Sequence, residues 1–262
     1  MTVGEALAAS GVESREARLL LAHATGFSAA AVVAFPEREL SAEAAARFAA
    51  FAERRRGGEP VAYIVGEKEF YGLLLAVNPA VLIPRPETEL LVDLALERQF
   101  SAAVDLGAGC GAIALALKHE RPDARVVAVE ASAAALEVAR RNALRLGLRV
   151  EWRHGRWCEP LAGERYDVIV ANPPYVAEGD AHLAALAYEP RHALVAGSDG
   201  LDAIRALVAQ APEHLTAGGW LLLEHGEGQE AAARRLLEQA GLEEVQTWPD
   251  LAGIPRATGG QR

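Results

Sequence analysis

From Ser101 onwards the chain alternates segments of strand character with segments of helix character. Strands are expected at 102–106, 125–129, 149–153, 166–171, 219–224 and 243–247, and helices at 111–120, 132–146, 201–214 and 230–240. Alternation of this kind folds into a mostly parallel α/β sheet covered by helices on both faces. In such a sheet ligands bind beyond the C-terminal ends of the strands. The loops that follow the strands are therefore where function is to be sought.

The first such loop is Asp105-Leu106-Gly107-Ala108-Gly109-Cys110-Gly111. Its glycines permit a tight turn and a close approach of a ligand to the backbone. The spacing is neither that of a dinucleotide fingerprint nor that of a phosphate loop, which needs a Lys-Ser/Thr pair. Glu130 closes the next strand, where a carboxylate can accept both hydroxyls of a ribose. Ribose recognition without a pyrophosphate preference points to S-adenosylmethionine, with NAD as the alternative. Trp157, in the loop after the third strand, either lies beside an adenine or is an ordinary partly buried tryptophan.

The apolar run 166–171 stops at Asn172-Pro173-Pro174-Tyr175. Pro174 has no N–H, and Pro173 is restricted by the proline after it, so this loop is stiff. It presents an amide side chain, a free carbonyl and an aromatic face in fixed positions. The Asn172 side-chain oxygen and the Pro173 carbonyl can each accept one N–H of a planar group bearing an NH2, with Tyr175 against its plane. A strand-ending turn with a buried tyrosine would have the same sequence.

Ahead of the alternating region, residues 1 to about 60 read as helices at 3–9, 14–24 and 41–56, with Ser14 and Ser41 as N-caps and Gly26 and Gly57 as stops. Arg54-Arg55-Arg56 ends the last of them. The run reads first as a solvated helix end, and otherwise as the exposed part of a substrate-recognition surface. Residues 70–77 and 81–83 flank Asn78-Pro79, which predicts a β-hairpin turning there. Next comes Ile83-Pro84-Arg85-Pro86-Glu87-Thr88-Glu89, a rigid linker in which Thr88 or Glu87 caps the following helix, or in which Arg85 lines the mouth of a site.

Composition narrows the field. A chain of 262 residues, 51% hydrophobic, is globular, and a net charge of −10 argues against a general phosphate-backbone binder. Two cysteines, Cys110 and Cys158, make no disulfide framework and no metal spacing, which suits a reducing cytoplasm. No signal peptide, membrane-spanning run or metal cluster is expected.

Taken together, these motifs resemble the HemK/PrmC family of protein-(glutamine) methyltransferases that modify peptide chain release factors. The resemblance covers essentially the whole chain. It rests on the glycine loop, Asn172 to Tyr175, Phe70-Tyr71-Gly72, the Pro84 to Glu89 segment and the stretch from Glu189-Pro190 through Ala193-Leu194 to Asp199-Gly200-Leu201. It implies a class I, Rossmann-like fold with a seven-stranded sheet. It divides the chain into a helical substrate-recognition domain at 1–65, a hairpin linker at 66–84 and a catalytic domain at 85–262.

The resemblance also implies S-adenosylmethionine contacts at Gly107, Ala108, Gly109, Cys110, Gly111, Glu130, Trp157 and Asn172, with S-adenosylhomocysteine as product. Substrate glutamine is implied at Asn172, Pro173, Pro174 and Tyr175, beside Arg85. The expected partner is a release factor met by a cytoplasmic monomer, with no membrane and no sequence-specific nucleic acid.

Two departures stand out. Arg156 occupies a position where the family often has an acid, and the closing segment stops early, which predicts a short last strand. The chain also ends in Gly259-Gly260-Gln261, the tripeptide carried by the family's substrates, which raises self-docking as an alternative to coincidence. Two competing functions use the same residues: methylation of a nucleobase amino group on a flipped base, and binding of S-adenosylmethionine without catalysis.

Overall fold

The computed structural model describes residues 1–262. The chain divides into two compact units, Met1–Glu67 and Lys68–Arg262.

The first unit holds α1 (Val3–Ala9), α2 (Ser14–Thr25), α3 (Ala29–Ala34), α4 (Ala42–Arg56) and α5 (Val61–Val65). Thr2 and Glu5 close a capping box on α1, and Ser28 and Ser41 cap α3 and α4. The cap of α2 is Glu13, whose carboxylate accepts the N–H groups of Arg15 and Glu16, so the expected cap Ser14 lies one residue inside the helix. Val3, Leu20, Leu21, Val32, Phe48 and Ile64 form this unit's core. The three arginines at the end of α4 are used internally. Arg54 forks onto Glu59, Arg55 pairs with Glu16 at 2.7 Å, and Arg56 donates to the Ser10 carbonyl at 2.6 Å.

A hairpin follows, β1 (Glu67–Phe70) and β2 (Leu73–Ala76), all but its first residue in the second unit. Its turn is Tyr71-Gly72, with φ of 51° and 73°, and not Asn78-Pro79. Two residues at positive φ match the right-handed twist of paired strands, and the tyrosine hid this turn from a reading based on Gly, Pro and Asn. Asn78 does make a turn, its carbonyl accepting from Val81 at 3.1 Å, but no strand follows it.

Then come α6 (Glu89–Leu96), β3 (Ala102–Leu106), α7 (Ala112–Glu120), β4 (Arg125–Glu130), α8 (Ala133–Leu146), β5 (Glu151–His154) and β6 (Tyr166–Ala171). After these lie α9 (Asp202–Val208), β7 (Leu215–Glu224), α10 (Glu230–Gln239), β8 (Glu243–Pro249) and β9 (Pro255–Gln261). The helix expected over 201–214 breaks after α9 and resumes as a short 3-10 turn at Ala211–His214, where Pro212 supplies no N–H.

The seven strands lie in the order β5-β4-β3-β6-β7-β9-β8. The pairs from β5 to β7 are parallel, and β9 runs antiparallel between β7 and β8. Strand order reverses between β3 and β6, which places the crevice of an open α/β sheet at their C-terminal ends. Val104, Leu106, Val127, Ile169, Leu221 and Leu223 build the core beneath it.

The closing strand is neither short nor free. Gly259 pairs with both Leu222 and Gln246, and Gly260 with Leu221. A Cβ on Gly259 would stand 2.6 Å from Leu222 Cδ2 and 2.7 Å from the Leu221 carbonyl oxygen. The glycines are there because the sheet leaves no room, and the Gln261 amide donates to the Gly218 carbonyl at 2.9 Å. The tail is an interior strand of the sheet and is not free to dock in the chain's own site.

Gly259→Ala is expected to destabilise the chain by about 1–3 kcal/mol, the range for forced overpacking. Deletion of the last four residues is expected to cost more, since it unpairs two strands at once. Urea unfolding followed by far-UV circular dichroism measures both, and an unchanged midpoint for Gly259→Ala would mean that the sheet can open to admit a side chain.

Candidate active site

Two cavities open at the strand-order reversal. The larger, of about 500 Å³, is lined among others by Gly107, Gly109, Glu130, Arg156, Trp157, Asn172 and Pro174. The smaller, of about 100 Å³, is lined by Arg85, Asn172, Pro173, Pro174, Tyr175 and Leu186, among others. Leu82, Asn172, Pro174 and Ala193 line both, so the two spaces meet at Asn172.

The glycine loop makes the floor of the larger cavity. Gly107 and Gly109 have φ of 85° and 56° and face the opening. A Cβ on Gly107 would lie 3.4 Å from Trp157 Cζ3, so a bare backbone lets the indole sit across the loop. Trp157 holds φ at 49°, a conformation uncommon for a bulky residue, and its buried Nε1 has no partner in the chain. Ala108, Cys110 and Gly111 do not line the cavity, although sequence reading grouped them with the cofactor contacts. Alternate residues of the loop turn inward: the Cys110 carbonyl accepts from Asn142 at 3.0 Å, and burial pushes its thiol up to about 12. Gly111 leaves space for Trp152, whose Cη2 a Cβ would approach to 2.8 Å.

Glu130 is buried at the end of β4. Its two oxygens accept the N–H groups of Gly109 at 2.8 Å and Ser132 at 2.7 Å. Each carboxylate oxygen keeps a further lone pair, and the residue borders the cavity. Beneath the loop Asp105 is 1% exposed, with Oδ2 accepting from the Ala114 N–H at 3.1 Å and Oδ1 without a partner. Burial pushes this carboxyl up to about 7, against the Ala114 hydrogen bond and with a further push from the charge on Glu130. Arg156 is exposed at the cavity rim, and its backbone N–H donates to the Glu159 carboxylate at 3.2 Å.

At the junction, the Asn172 amide donates through Nδ2 to Thr88 Oγ1 at 2.9 Å, and no group of the chain bonds its Oδ1 or the Pro173 carbonyl. Thr88 in turn donates to Glu224 Oε2 at 2.7 Å, and the Tyr175 hydroxyl donates to Glu224 Oε1 at 3.0 Å. Desolvation raises the Tyr175 hydroxyl well above the usual phenol range, with the Glu224 charge adding to it.

The backbone of the loop is held from behind. Gln229 Nε2 donates to the Tyr175 carbonyl at 3.0 Å, and Gly200 makes room for this, since its Cβ would meet that oxygen at 2.3 Å. Arg85 pairs with the buried Glu189, which also accepts the Ile83 N–H at 3.0 Å.

Thr88 and Glu224 were absent from the sequence-predicted site. Thr88 was read as a helix cap, but its hydroxyl makes no capping bond. Glu224 ends an apolar strand run, as Glu130 does, and that pattern is the sequence signal for it.

A carboxyl whose pKa is higher in the folded chain than its free value of 3.8 destabilises the fold at high pH and not at low pH. Asp105→Asn is therefore expected to stabilise the chain at pH 8 by up to about 4 kcal/mol and to have little effect at pH 4. Urea unfolding at the two pH values tests this; equal effects would mean that Asp105 carries no desolvation penalty.

Residues 86–197 match the Methyltransferase small domain model and residues 3–66 the PrmC N-terminal domain model. A release factor glutamine methyltransferase of Burkholderia pseudomallei is 48% identical over 273 aligned residues, covering 99% of this chain and 96% of its own length. The Pseudomonas aeruginosa relative of the same name is 50% identical over 252 residues, covering 94% and 91%.

Among solved structures, a methyltransferase from Pyrococcus furiosus matches with a TM-score of 0.59 at 19% identity, over 80% of this chain and 98% of that one. The 16S rRNA N2 G1207 methyltransferase of Thermus thermophilus, solved with AdoMet and guanosine, matches with a TM-score of 0.56 at 24% identity, over 75% and 49%. These likenesses are of fold alone; together with the Methyltransferase small domain match they agree with a class I methyltransferase sheet. With curated relatives 48% and 50% identical over 99% and 94% of its length, the chain belongs to the release factor glutamine methyltransferase family.

Proposed function

We propose that this chain transfers a methyl group from S-adenosylmethionine to the side-chain amide nitrogen of the glutamine in the Gly-Gly-Gln motif of release factors, modulating translation termination. The observation that carries this reading is the junction at Asn172, where a cavity large enough for a nucleoside meets a small pocket beside two unpartnered acceptors.

The residues of the larger cavity fit S-adenosylmethionine. Gly107 and Gly109 let its chain lie close to the backbone, and Glu130 offers its remaining lone pairs to the ribose hydroxyls. The Trp157 ring forms a wall for the adenine. Ala108, Cys110 and Gly111 shape the loop from within. Bound there, S-adenosylmethionine supplies an electrophilic methyl on a cationic sulfonium. Nearby carboxylates, Asp105 and Glu130, suit a positively charged ligand electrostatically.

In the smaller pocket the substrate carboxamide is a poor nucleophile, because its lone pair is delocalised into the carbonyl. Asn172 Oδ1 and the Pro173 carbonyl each accept one of its N–H groups. This fixes the nitrogen at the junction and favours the positive charge that develops on it; the methyl would leave S-adenosylhomocysteine behind, and the nitrogen's surplus proton would pass to water. Pro174 and Tyr175 wall the amide plane, and Arg85, held by Glu189, borders the same space. Residues 1–65 are read as the part that recognises the release factor, with 66–84 as the linker and 85–262 as the catalytic domain. The unpaired, buried Cys110 and Cys158 support a cytoplasmic setting.

The test is transfer of labelled methyl to purified release factor, beside a factor whose motif glutamine is substituted and beside duplex DNA. Label on the intact factor alone is expected; label on DNA would overturn the substrate assignment. Asn172→Ala is expected to lower kcat by about 100-fold or more, the scale of losing one preorganised partner of developing charge, with S-adenosylmethionine affinity within a few fold of wild type. Parallel losses of turnover and affinity would remove the orienting role.

A further inference from the structure

We propose that Glu224, acting through the Thr88 hydroxyl, fixes which end of the Asn172 carboxamide faces the small pocket, so that Thr88 and Glu224 are positioning residues that select a substrate carboxamide over a carboxylate. The proposal rests on the reading of the reaction given above.

Hydrogen-bond polarity carries it. Glu224 closes β7 at 2% exposure, and its two oxygens face two hydroxyls, Thr88 Oγ1 at 2.7 Å and Tyr175 OH at 3.0 Å. An ionised carboxylate has no hydrogen to give, so both hydroxyls must donate to it. Thr88 has one hydrogen and spends it there. Its oxygen can only accept from the third partner, 2.9 Å away, which must then be the NH2 of Asn172. The two ends of an amide are otherwise interchangeable in shape, and a network of this kind is what decides between them.

Asn172 Oδ1 is consequently turned away from Thr88 and left, like the Pro173 carbonyl, without a partner. Two acceptors side by side receive the two N–H groups of a primary amide. They repel the oxygen of a glutamate of the same shape.

The charged and titratable groups around Glu224 come from each neighbouring element. Glu87 lies on the short turn that carries Thr88, Tyr175 follows β6, and Arg256 lies on β9. The adjacent His225 turns instead to Thr258 on β9, at 2.9 Å. Burial raises the Glu224 carboxyl to about 6, partly offset by the two hydroxyl bonds. Below that pH the carboxyl gains a hydrogen of its own and can donate, which removes the constraint on Thr88.

The experiment compares binding of intact release factor with that of its Gly-Gly-Glu variant, in the presence of S-adenosylhomocysteine at pH 8. Wild-type enzyme and Thr88→Ser are expected to prefer the glutamine form at least about tenfold, the scale of leaving buried acceptors against a repelling group. Thr88→Val, which keeps the shape and deletes the hydroxyl, is expected to fall to within roughly threefold, with S-adenosylhomocysteine affinity unchanged as the check on its fold. A Thr88→Val enzyme that keeps the full preference overturns the proposal.

Lowering the pH from about 8 to about 5.5 is expected to weaken the preference of wild type more than that of Glu224→Gln, in which only the carboxyl of the Gly-Gly-Glu ligand titrates. A wild-type preference that changes no more than that of Glu224→Gln over that range overturns the part assigned to Glu224. Failure of wild type to methylate release factor at all would instead overturn the reading of the reaction on which the proposal stands.

Discussion

Parallel pairing of β3 with β6, Asp105 opposite Val170, is the contact on which the site depends. From β3 the chain steps outward to β4 and β5, and from β6 outward the other way to β7. The helices that follow β3 and β6 therefore leave on opposite sides, and the strand ends between them are uncovered. One end carries a loop that must be glycine to reach positive φ and to clear Trp157 and Trp152. The other carries two prolines, which stop the ladder and leave a carbonyl unpaired. The cavity and the pocket are consequences of this arrangement, and their meeting at Asn172 follows from strand order more than from any side chain.

The electrostatics of the two spaces divide along the same line. Asp105, Glu130 and Glu224 are all buried at strand ends, in a chain whose net charge is −10. Burying a carboxylate is costly unless it is hydrogen-bonded, and two of the three have both oxygens engaged. Asp105 is the exception, with one oxygen bare and its carboxyl raised to about 7. Such strain is understandable where a cationic ligand is received, and less so in a purely structural core. At the Asn172 junction, by contrast, the carboxylate is kept one hydroxyl away. Glu224 lines neither cavity; in the positioning role proposed for it, it sets the direction of the hydrogen bond between Asn172 and Thr88.

The architecture was legible because its signals are local and repeated. Strand and helix periods alternate plainly from Ala102 to Thr247, and glycines and prolines mark the two loops that matter. What stayed hidden needed knowledge of neighbours. The turn at Tyr71-Gly72 breaks no rule of the fold, but a tyrosine at positive φ gives no warning. Thr88 looked like a cap because threonine before a helix usually is one; only proximity to Glu224, far along the chain, diverts its hydroxyl. The inward-facing members of the glycine loop, Ala108 and Cys110, could not be told from the outward-facing ones without the packing of α8, whose Asn142 takes the Cys110 carbonyl.

The tail illustrates how far identity of residues is from identity of role. A Gly-Gly-Gln offered to a partner needs glycines that leave the backbone free to be approached. Here a Cβ on Gly259 would meet Leu221, Leu222 and Trp248, and one on Gly260 would meet Leu242, Glu243 and Val245. Backbone hydrogen bonds on both edges hold them, and Gln261 is tied to Gly218. Glycine serves both cases because it lacks a Cβ, but one case demands an exposed backbone and the other a crowded one. A sequence cannot separate these two demands, since they select the same residue. The sheet separates them, because a strand bonded on both edges has no N–H or carbonyl left to offer a pocket.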